Sequence, residues 1–488
     1  MIGHSLSEYV FIRICIFALR LIAPLSILHL FASWYRGEWV YSRYLGYYAV
    51  VEATFYLGVY LPRCRLLQQP AIHPTPLTRA ERESLFAKCF ATARDTESAT
   101  GWFLFAPSHT ICRDNVVEWL LWALYSSPCD ALVQDWEEEL EGYVNTIEQL
   151  LGRKLEEGIN KDIKCMKITL DPVISLHRPL LWYFIVAIVD SCTATFLWSE
   201  GFTHYTQSRW YHYFPPRLRS SFSKPSPHSS ISYWYRPHRS KTKHPILFLH
   251  GIGIGLWPYT PFLSELIKSD PDVGIIVVEN LPISMRISPP PLTRIEMLEG
   301  LSSVLAFHSF TSYTVIGHSY GTVIAAHMLR SPAFSSHVAS WILVDPIPFL
   351  LHQPSVAYNF VYRTPKTANE WQLWYFASRD PDIARTLARH FFWTENILWK
   401  EDLRGRKVGV ALSGRDQIVD AEKVRRYLTE EDEASPLWSS KDKDDREGRL
   451  EVLWSPDLDH ASIFDKRVPR KMLRELVERF IVRDDPEE

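Results

Sequence analysis

Between the apolar run YTVI at 313–316 and the helical pattern TVIAAHMLR at 322–330, the chain reads Gly317-His318-Ser319-Tyr320-Gly321. A strand that gives way to a helix across a single serine flanked by glycines is compatible with few folds. The turn must be tight, and it lifts the hydroxyl clear of the sheet at a helix N-terminus. Such a turn belongs at the carboxyl end of a parallel strand, where open α/β sheets carry their reactive groups. Five residues of this kind recur by chance, so their weight comes from the strand before and the helix after.

The rest of the chain supplies the sheet. ISYWY (231–235), PILFLH (245–250), VGIIVVE (273–279), SWILVD (340–345), KVGVALSG (407–414) and LEVLW (450–454) are short β-rich runs, most of them separated by helical patterns. With SYTVIGH (312–318) they predict an α/β fold built on a mainly parallel, doubly wound sheet. At 488 residues the chain exceeds what one core usually organises. The expected division is a hydrophobic segment over 1–62, a helical subdomain over 63–213 and a linker rich in Pro, Ser, Arg and Lys over 214–230. An α/β domain over 231–488 follows, with a helical cap inserted at 346–404.

A second motif, His250-Gly251-Ile252-Gly253-Ile254-Gly255, follows the strand ILFL. Small residues let the backbone turn its N–H groups inward, as the stabilisation of an oxyanion requires, and the N–H groups of Ile252 and Tyr320 are the candidates. A dinucleotide loop is disfavoured, because the G-x-G-x-x-G spacing and an acidic ribose-binding residue are both missing. A nucleophilic serine needs a base and an acid, and a fold with this strand–serine–helix turn places them later in the chain, the acid before the histidine. His460, in SPDLDHASIF after LEVLW, is the expected base. Asp416, in SGRDQIVD after KVGVAL, is the expected acid, with Asp345 at the VDP strand end as its rival. The side chains of His318 and Tyr320 are expected to line the pocket, and His327 and His337 to serve packing or the surface.

The N-terminal region is of another character. YVFIRICIFALRLIAPLSILHLFASWY (9–35) is long enough to cross a bilayer but carries Arg13, Arg20 and Pro24, and lacks the layout of a cleaved signal peptide. LGYYAVVEATFYLGVYL (45–61) follows, with Glu52 inside it. The two read as spanning helices, as one span with an interfacial partner, or as an aromatic hairpin lying in the headgroups, against the alternative of a buried soluble pair. Helices are predicted over 77–93, capped by Thr78, over 115–127 and over 132–158. A third apolar run over 180–198 contains Asp190, which favours a core or cap helix over a span. The seven cysteines, Cys15, Cys64, Cys89, Cys112, Cys129, Cys165 and Cys192, follow no disulfide or metal spacing and read as reduced. No Asn heads an Asn-x-Ser/Thr site, which suits a domain facing the cytosol. A net charge of -3 gives no footprint for nucleic acid, whereas 18 Trp suit an apolar groove or a membrane interface.

Residues 231 to 482 resemble the α/β-hydrolase superfamily. The order Ser319, Asp416, His460 and the H-G-x-G-x-G loop are similar to those of its lipases and esterases. The Gly-rich entry, ENLPISMR and the VDP strand end resemble its fungal membrane-associated members. The resemblance implies hydrolysis of an ester or related acyl bond, with neither a metal nor an organic cofactor. Acyl transfer, a small-molecule esterase of specialised metabolism and a non-enzymatic membrane scaffold are the alternatives. The cap carries Trp371, Trp374, Tyr375, Phe376, Phe391, Phe392, Trp393 and Trp399. Half of these are expected to pack it on the core and half to face an apolar ester or lipid substrate. The expected setting is a membrane or lipid-droplet surface, at the endoplasmic reticulum or a droplet, with the α/β domain in the cytosol.

Overall fold

The computed structural model describes residues 3–93, 97–128, 134–440 and 448–483. Cys129, residues 132–133 of the third predicted helix, and residues 1–2 and 484–488 at the ends of the expected first and last segments lie outside them.

Among the described residues the β-branched and aromatic runs form nine strands: β1 (Thr203–Tyr205), β2 (Ser232–Arg236), β3 (Ile246–Leu249), β4 (Ile275–Glu279), β5 (Tyr313–His318), β6 (Val338–Val344), β7 (Arg406–Ser413), β8 (Leu437–Ser439) and β9 (Gly448–Ser455). They lie in one sheet in the order β1-β2-β4-β3-β5-β6-β7-β9-β8. The pairings from β4 through β3, β5, β6 and β7 to β9 are parallel, and those of β1, β2 and β8 antiparallel. Alternate residues feed opposite layers. Leu247, Leu249, Val315, Leu343 and Val410 pack on one side, with the helices Arg294–Phe307 and Gly321–Leu329. Ile246, Phe248, Ile316, Ile342 and Ala411 pack on the other, beneath the helices Thr260–Ser269 and Arg467–Phe480. Burial on both faces explains why these strands read as unbroken apolar runs. Each large side chain so buried contributes about 1.5–3 kcal/mol.

Two expectations about the sheet require correction. β1 and β8 were absent from the predicted set, being three residues each and lacking a readable period. The stretch 214–230, expected as a linker, is packed into the fold. Lys224 pairs with the backbone of β1, since the Thr206 N–H donates to the Lys224 carbonyl at 2.9 Å and the Lys224 N–H to that of His204 at 3.0 Å. The fully buried Arg217 donates to Glu279 at the end of β4 (2.6 Å). A Pro-, Ser- and Arg-rich composition suggests solvation, but these arginines have buried carboxylate partners.

At the N-terminus, the helix Leu6–Arg36 starts at a Ser5/Glu8 capping box, runs through Pro24 and stops at Gly37 (φ 74°). The helix Arg43–Phe55 continues through a π turn at Tyr56–Tyr60 into Leu61–Leu67. Among the described residues two helices, Leu6–Arg36 and Leu180–Ser199, are long and apolar enough to cross a membrane. Around the turn between the first two helices, Trp34, Tyr35, Trp39, Tyr41 and Tyr44 are exposed. Glu52 points into the protein, where it accepts the N–H of Leu180 (2.9 Å) at the start of the helix Leu180–Ser199 and the Tyr48 hydroxyl (3.1 Å). Asp190, midway along that helix, pairs with Arg219 (2.5 Å) and Arg286 (2.7 Å) and so ties it to the α/β half. The helices Arg113–Tyr125 and Glu137–Leu151 pack together through Val116, Leu120, Tyr143, Val144 and Ile147. The second of them ends before 158, because Gly152 closes it in the left-handed conformation (φ 67°).

Candidate active site

Ser319 sits at the end of β5 with φ at 51°, a left-handed conformation that an L-residue adopts at a cost. Its N–H donates to the Val344 carbonyl (3.0 Å), and its own carbonyl accepts from Thr322 N (2.8 Å), so the turn is pinned from both sides. The flanking glycine is a matter of space: a Cβ on Gly321 would lie 2.1 Å from the Leu249 carbonyl oxygen. Gly251 faces the serine from the loop after β3, where a Cβ would come within 2.8 Å of Ser319 Cβ. The two motifs read separately from the sequence are thus pressed against each other.

The loop after β9 brings in His460. Its Nε2 lies 2.8 Å from Ser319 Oγ, and its Nδ1 lies 2.6 Å from Asp416 Oδ2 in the turn after β7. The other oxygen of Asp416 accepts the N–H groups of Ile418 (2.7 Å) and Val419 (3.0 Å), which fix its orientation. Asp345 is also close. The ligand atoms of Asp345, Asp416 and His460 lie within 4.8 Å of one another, the one set among the described residues with the spacing to hold a cation. Asp345, however, accepts from backbone, Ser413 N (3.0 Å) and Ala461 N (2.8 Å), and not from the imidazole. Burial opposes protonation of His460, but the charge and hydrogen bond of Asp416, followed by Asp345, outweigh it and lift the imidazole to about 9. Burial and then the Asp416 charge push the Asp345 carboxyl up. The arrangement can move a proton from Ser319 Oγ to an imidazole whose cation is stabilised from behind.

Ile252 shares a cavity wall with Ser319, and Tyr320 follows the serine in the chain. Among the described residues neither backbone N–H donates to a protein acceptor, whereas neighbouring Gly251 N is bound to the Tyr259 hydroxyl (3.1 Å) and Gly253 N to the Ile283 carbonyl (3.1 Å). His250 braces this loop, with Nδ1 at 2.7 Å from the Gly251 carbonyl and Nε2 accepting from Asn280 N at 2.9 Å. Gly255 takes φ 88° at the turn into the next helix. The expectation that His318 and Tyr320 line the pocket is corrected. His318 is buried behind the serine, with Nδ1 at 2.7 Å from the Tyr259 hydroxyl and its ring on Phe464. Tyr320 packs toward Phe391. Side chains beside a residue at a tight turn are carried to the opposite side of it. His327 is a buried packing residue bonded to Asn396 (2.9 Å), and His337 an exposed one whose Nδ1 lies 3.0 Å from the Thr311 carbonyl.

Residues 246–482 match the family model of the alpha/beta hydrolase family. These residues carry the α/β-hydrolase fold, a mainly parallel sheet between helical layers. Among solved structures, the chain is similar to a carboxylesterase of the thaumarchaeon Nitrososphaera gargenis (19% identity over 52% of this chain and 96% of that one, TM-score 0.34). It is also similar to the esterase RhEst1 of Rhodococcus sp. ECU1013 (17%, 51% and 94%, TM-score 0.33). A bacterial membrane phospholipase A described as a virulence factor matches at 12% identity over 61% of this chain and 92% of its own (TM-score 0.37). No curated protein matches the sequence.

The cavity at Ser319 comprises about 830 Å3 of space between protein atoms, the open solvent at its mouth included. Ile252 and Ser319 lie in its wall with Ile347, Phe360 and Ile418. Of the eight cap aromatics, Phe391, Phe392 and Trp393 line it. The other five pack elsewhere. Trp371 lies under Arg13 (4.0 Å to the ring centroid) beside Trp374, Tyr375 takes Arg178 on its face (3.9 Å), Phe376 meets Trp182, and Trp399 stacks on His352.

The remaining wall comes from the N-terminal half, which the sequence reading did not connect to the site: His73, Trp102, Trp122, Ser126, Ile168 and Thr169. Thr169 Oγ1 accepts from Trp122 Nε1 (2.9 Å) and stands 3.0 Å from His73 Nε2. Burial, then Arg389, hold His73 below its ordinary value, so it is a neutral partner. Direct bonds join this half to the cap: Trp393 Nε1 donates to the Ala123 carbonyl (2.9 Å) and Trp102 Nε1 to that of His352 (3.0 Å). Only the density of tryptophan in 102–136 hinted at this wall.

Proposed function

We propose that this chain is a membrane-associated serine hydrolase that cleaves an ester of an apolar, lipid-like substrate through an acyl-enzyme on Ser319. The observation that carries the reading is the Asp416–His460–Ser319 hydrogen-bonded series opening onto an apolar cavity. His460 Nε2 takes the proton of Ser319 Oγ as the oxygen attacks the acyl carbon, and Asp416 holds the imidazolium that results. The N–H groups of Ile252 and Tyr320 stabilise the oxyanion. Collapse of the tetrahedral intermediate expels the alcohol, which receives the proton from His460. Water, deprotonated by the same imidazole, then releases the acid.

The helix Leu6–Arg36 and the exposed aromatic residues at its turn support attachment to a membrane or lipid-droplet surface, since Trp and Tyr settle at the headgroup level. The described cysteines are free thiols, which suits a cytosolic face. The test is labelling of the full-length protein by a fluorophosphonate probe. Wild type is expected to label and Ser319→Ala to lose both labelling and hydrolysis, by about 10⁴-fold or more, with its circular dichroism unchanged. Failure of the wild type to label would favour a non-enzymatic scaffold. Acyl products formed with added alcohols or amines in preference to water would favour acyl transfer.

A further inference from the structure

The cavity at Ser319 has a larger neighbour. This second cavity holds about 1560 Å3 of space between protein atoms, its mouth included, and shares Ile168, Val361 and Leu387 with the first. Its chemistry is different. Lys161, Lys164, Lys167 and Arg379 line it against two carboxylates, Glu118 and Asp171. Lys167 is paired with Glu118, and Asp171 accepts the Tyr362 hydroxyl and the Lys167 N–H. Lys161 and Lys164 stand exposed at the rim. Arg379 is 8% exposed; its guanidinium donates to the Val361 carbonyl (2.8 Å) and Ser378 Oγ (3.2 Å), and no carboxylate pairs with it among the described residues. Holding a guanidinium out of water without a counter-ion is costly, and burial pushes its pKa down accordingly. A site that takes an anion from outside resolves that cost. The planar fork of Arg379 and the point charges of two lysines are the donors that phosphates and carboxylates use.

We propose that the second cavity binds the anionic group, a phosphate or a carboxylate, of an amphiphilic ester whose apolar body fills the cavity at Ser319. This rests on the serine-hydrolase reading. Ile168, Val361 and Leu387 line both cavities, so a ligand that reached from Ser319 along Phe360 and Phe391 and across these three side chains would meet the cations. The substrate class is thus an acidic amphiphile rather than a neutral oil.

The experiment compares two long-chain esters of equal length in detergent micelles with the full-length protein, one ending in a phosphate and the other in a hydroxyl. Wild type is expected to prefer the phosphate-ended ester about tenfold in kcat/KM, through KM, and the preference should shrink as salt is raised. Lys161→Gln/Lys164→Gln, at exposed positions where folding is safe, should reduce the preference severalfold, and Arg379→Gln should reduce it further. Equal turnover of the two esters by wild type, or a preference unaltered in the lysine double variant, overturns the anion site and leaves the serine hydrolase standing. A wild type that neither labels with fluorophosphonate nor hydrolyses either ester defeats the underlying reading instead. Saturable inhibition by inorganic phosphate, relieved in the lysine double variant without any preference between the esters, would overturn the substrate assignment in favour of a free anion.

Discussion

Replacing Trp122 by alanine tests whether the N-terminal half belongs to the binding pocket. Trp122 is 4% exposed, lines the cavity at Ser319, donates to Thr169 and lies 5.5 Å from the Trp102 ring. Truncating a fully enclosed tryptophan costs about 3–5 kcal/mol of stability. The lower end applies here, since one side of the indole already borders open space. The same truncation lengthens the cavity. Each further methylene that the space admits contributes about 0.8 kcal/mol, or about fourfold in kcat/KM. Room for about three carbons therefore moves the preferred acyl chain by that amount and raises turnover of the longer ester by well over tenfold relative to the wild-type optimum. The assay is kcat/KM of the full-length protein across a homologous ester series from acetyl to stearoyl, normalised to fluorophosphonate-active sites. A chain-length profile that keeps its shape while the variant merely loses stability would refute the reasoning. A wild-type optimum at acetyl or butyryl esters would refute the lipid-like substrate as well.

Asp416→Asn is expected to lower kcat about 10⁴-fold, and Asp345→Asn far less, because Asp345 holds backbone and not the imidazole; equal losses in steady-state kinetics would sink the assignment. The general base works as neutral imidazole, and a His460 lifted to about 9 is mostly protonated at neutrality. Consequently kcat/KM should rise about tenfold per pH unit toward a midpoint near pH 9, and a pH profile already flat from pH 7 upward contradicts this. Deleting residues 1–62 should move the protein from the membrane to the soluble fraction of lysed cells, whereas full-length protein that is soluble without detergent would show those helices to be core.

The three residues that the structure brings into one hydrogen-bonded series were legible because each stands at a strand end that the apolar runs mark out. Ser319 follows YTVI, Asp416 follows KVGVAL and His460 follows LEVLW. Position favoured Asp416 over Asp345 without deciding between them; the hydrogen bond of Asp416 to the imidazole, where Asp345 accepts only backbone N–H groups, separates the two. What escaped was tertiary. A three-residue edge strand such as Thr203–Tyr205 has no period to read. The arginines of 214–230 look solvated until Glu279 and Asp190 are seen to meet them. The cap aromatics follow one helical pattern, yet they divide between pocket, N-terminal helix and core, because the partner surfaces come from distant parts of the chain. Trp102 and Trp122 pack in their own helical cluster, so nothing local marks them as walls of a cavity around Ser319.

The walls of that cavity have a practical consequence. They come from 73–169, from the loops around 252 and 319, and from 347–418, so the pocket draws on most of the polypeptide, although the family model covers less than half of it. A recombinant fragment trimmed to the recognisable hydrolase would keep its nucleophile but expose it through a breach where Trp102 and Trp122 had stood. Its promiscuity toward small soluble esters would then describe the surgery rather than the enzyme.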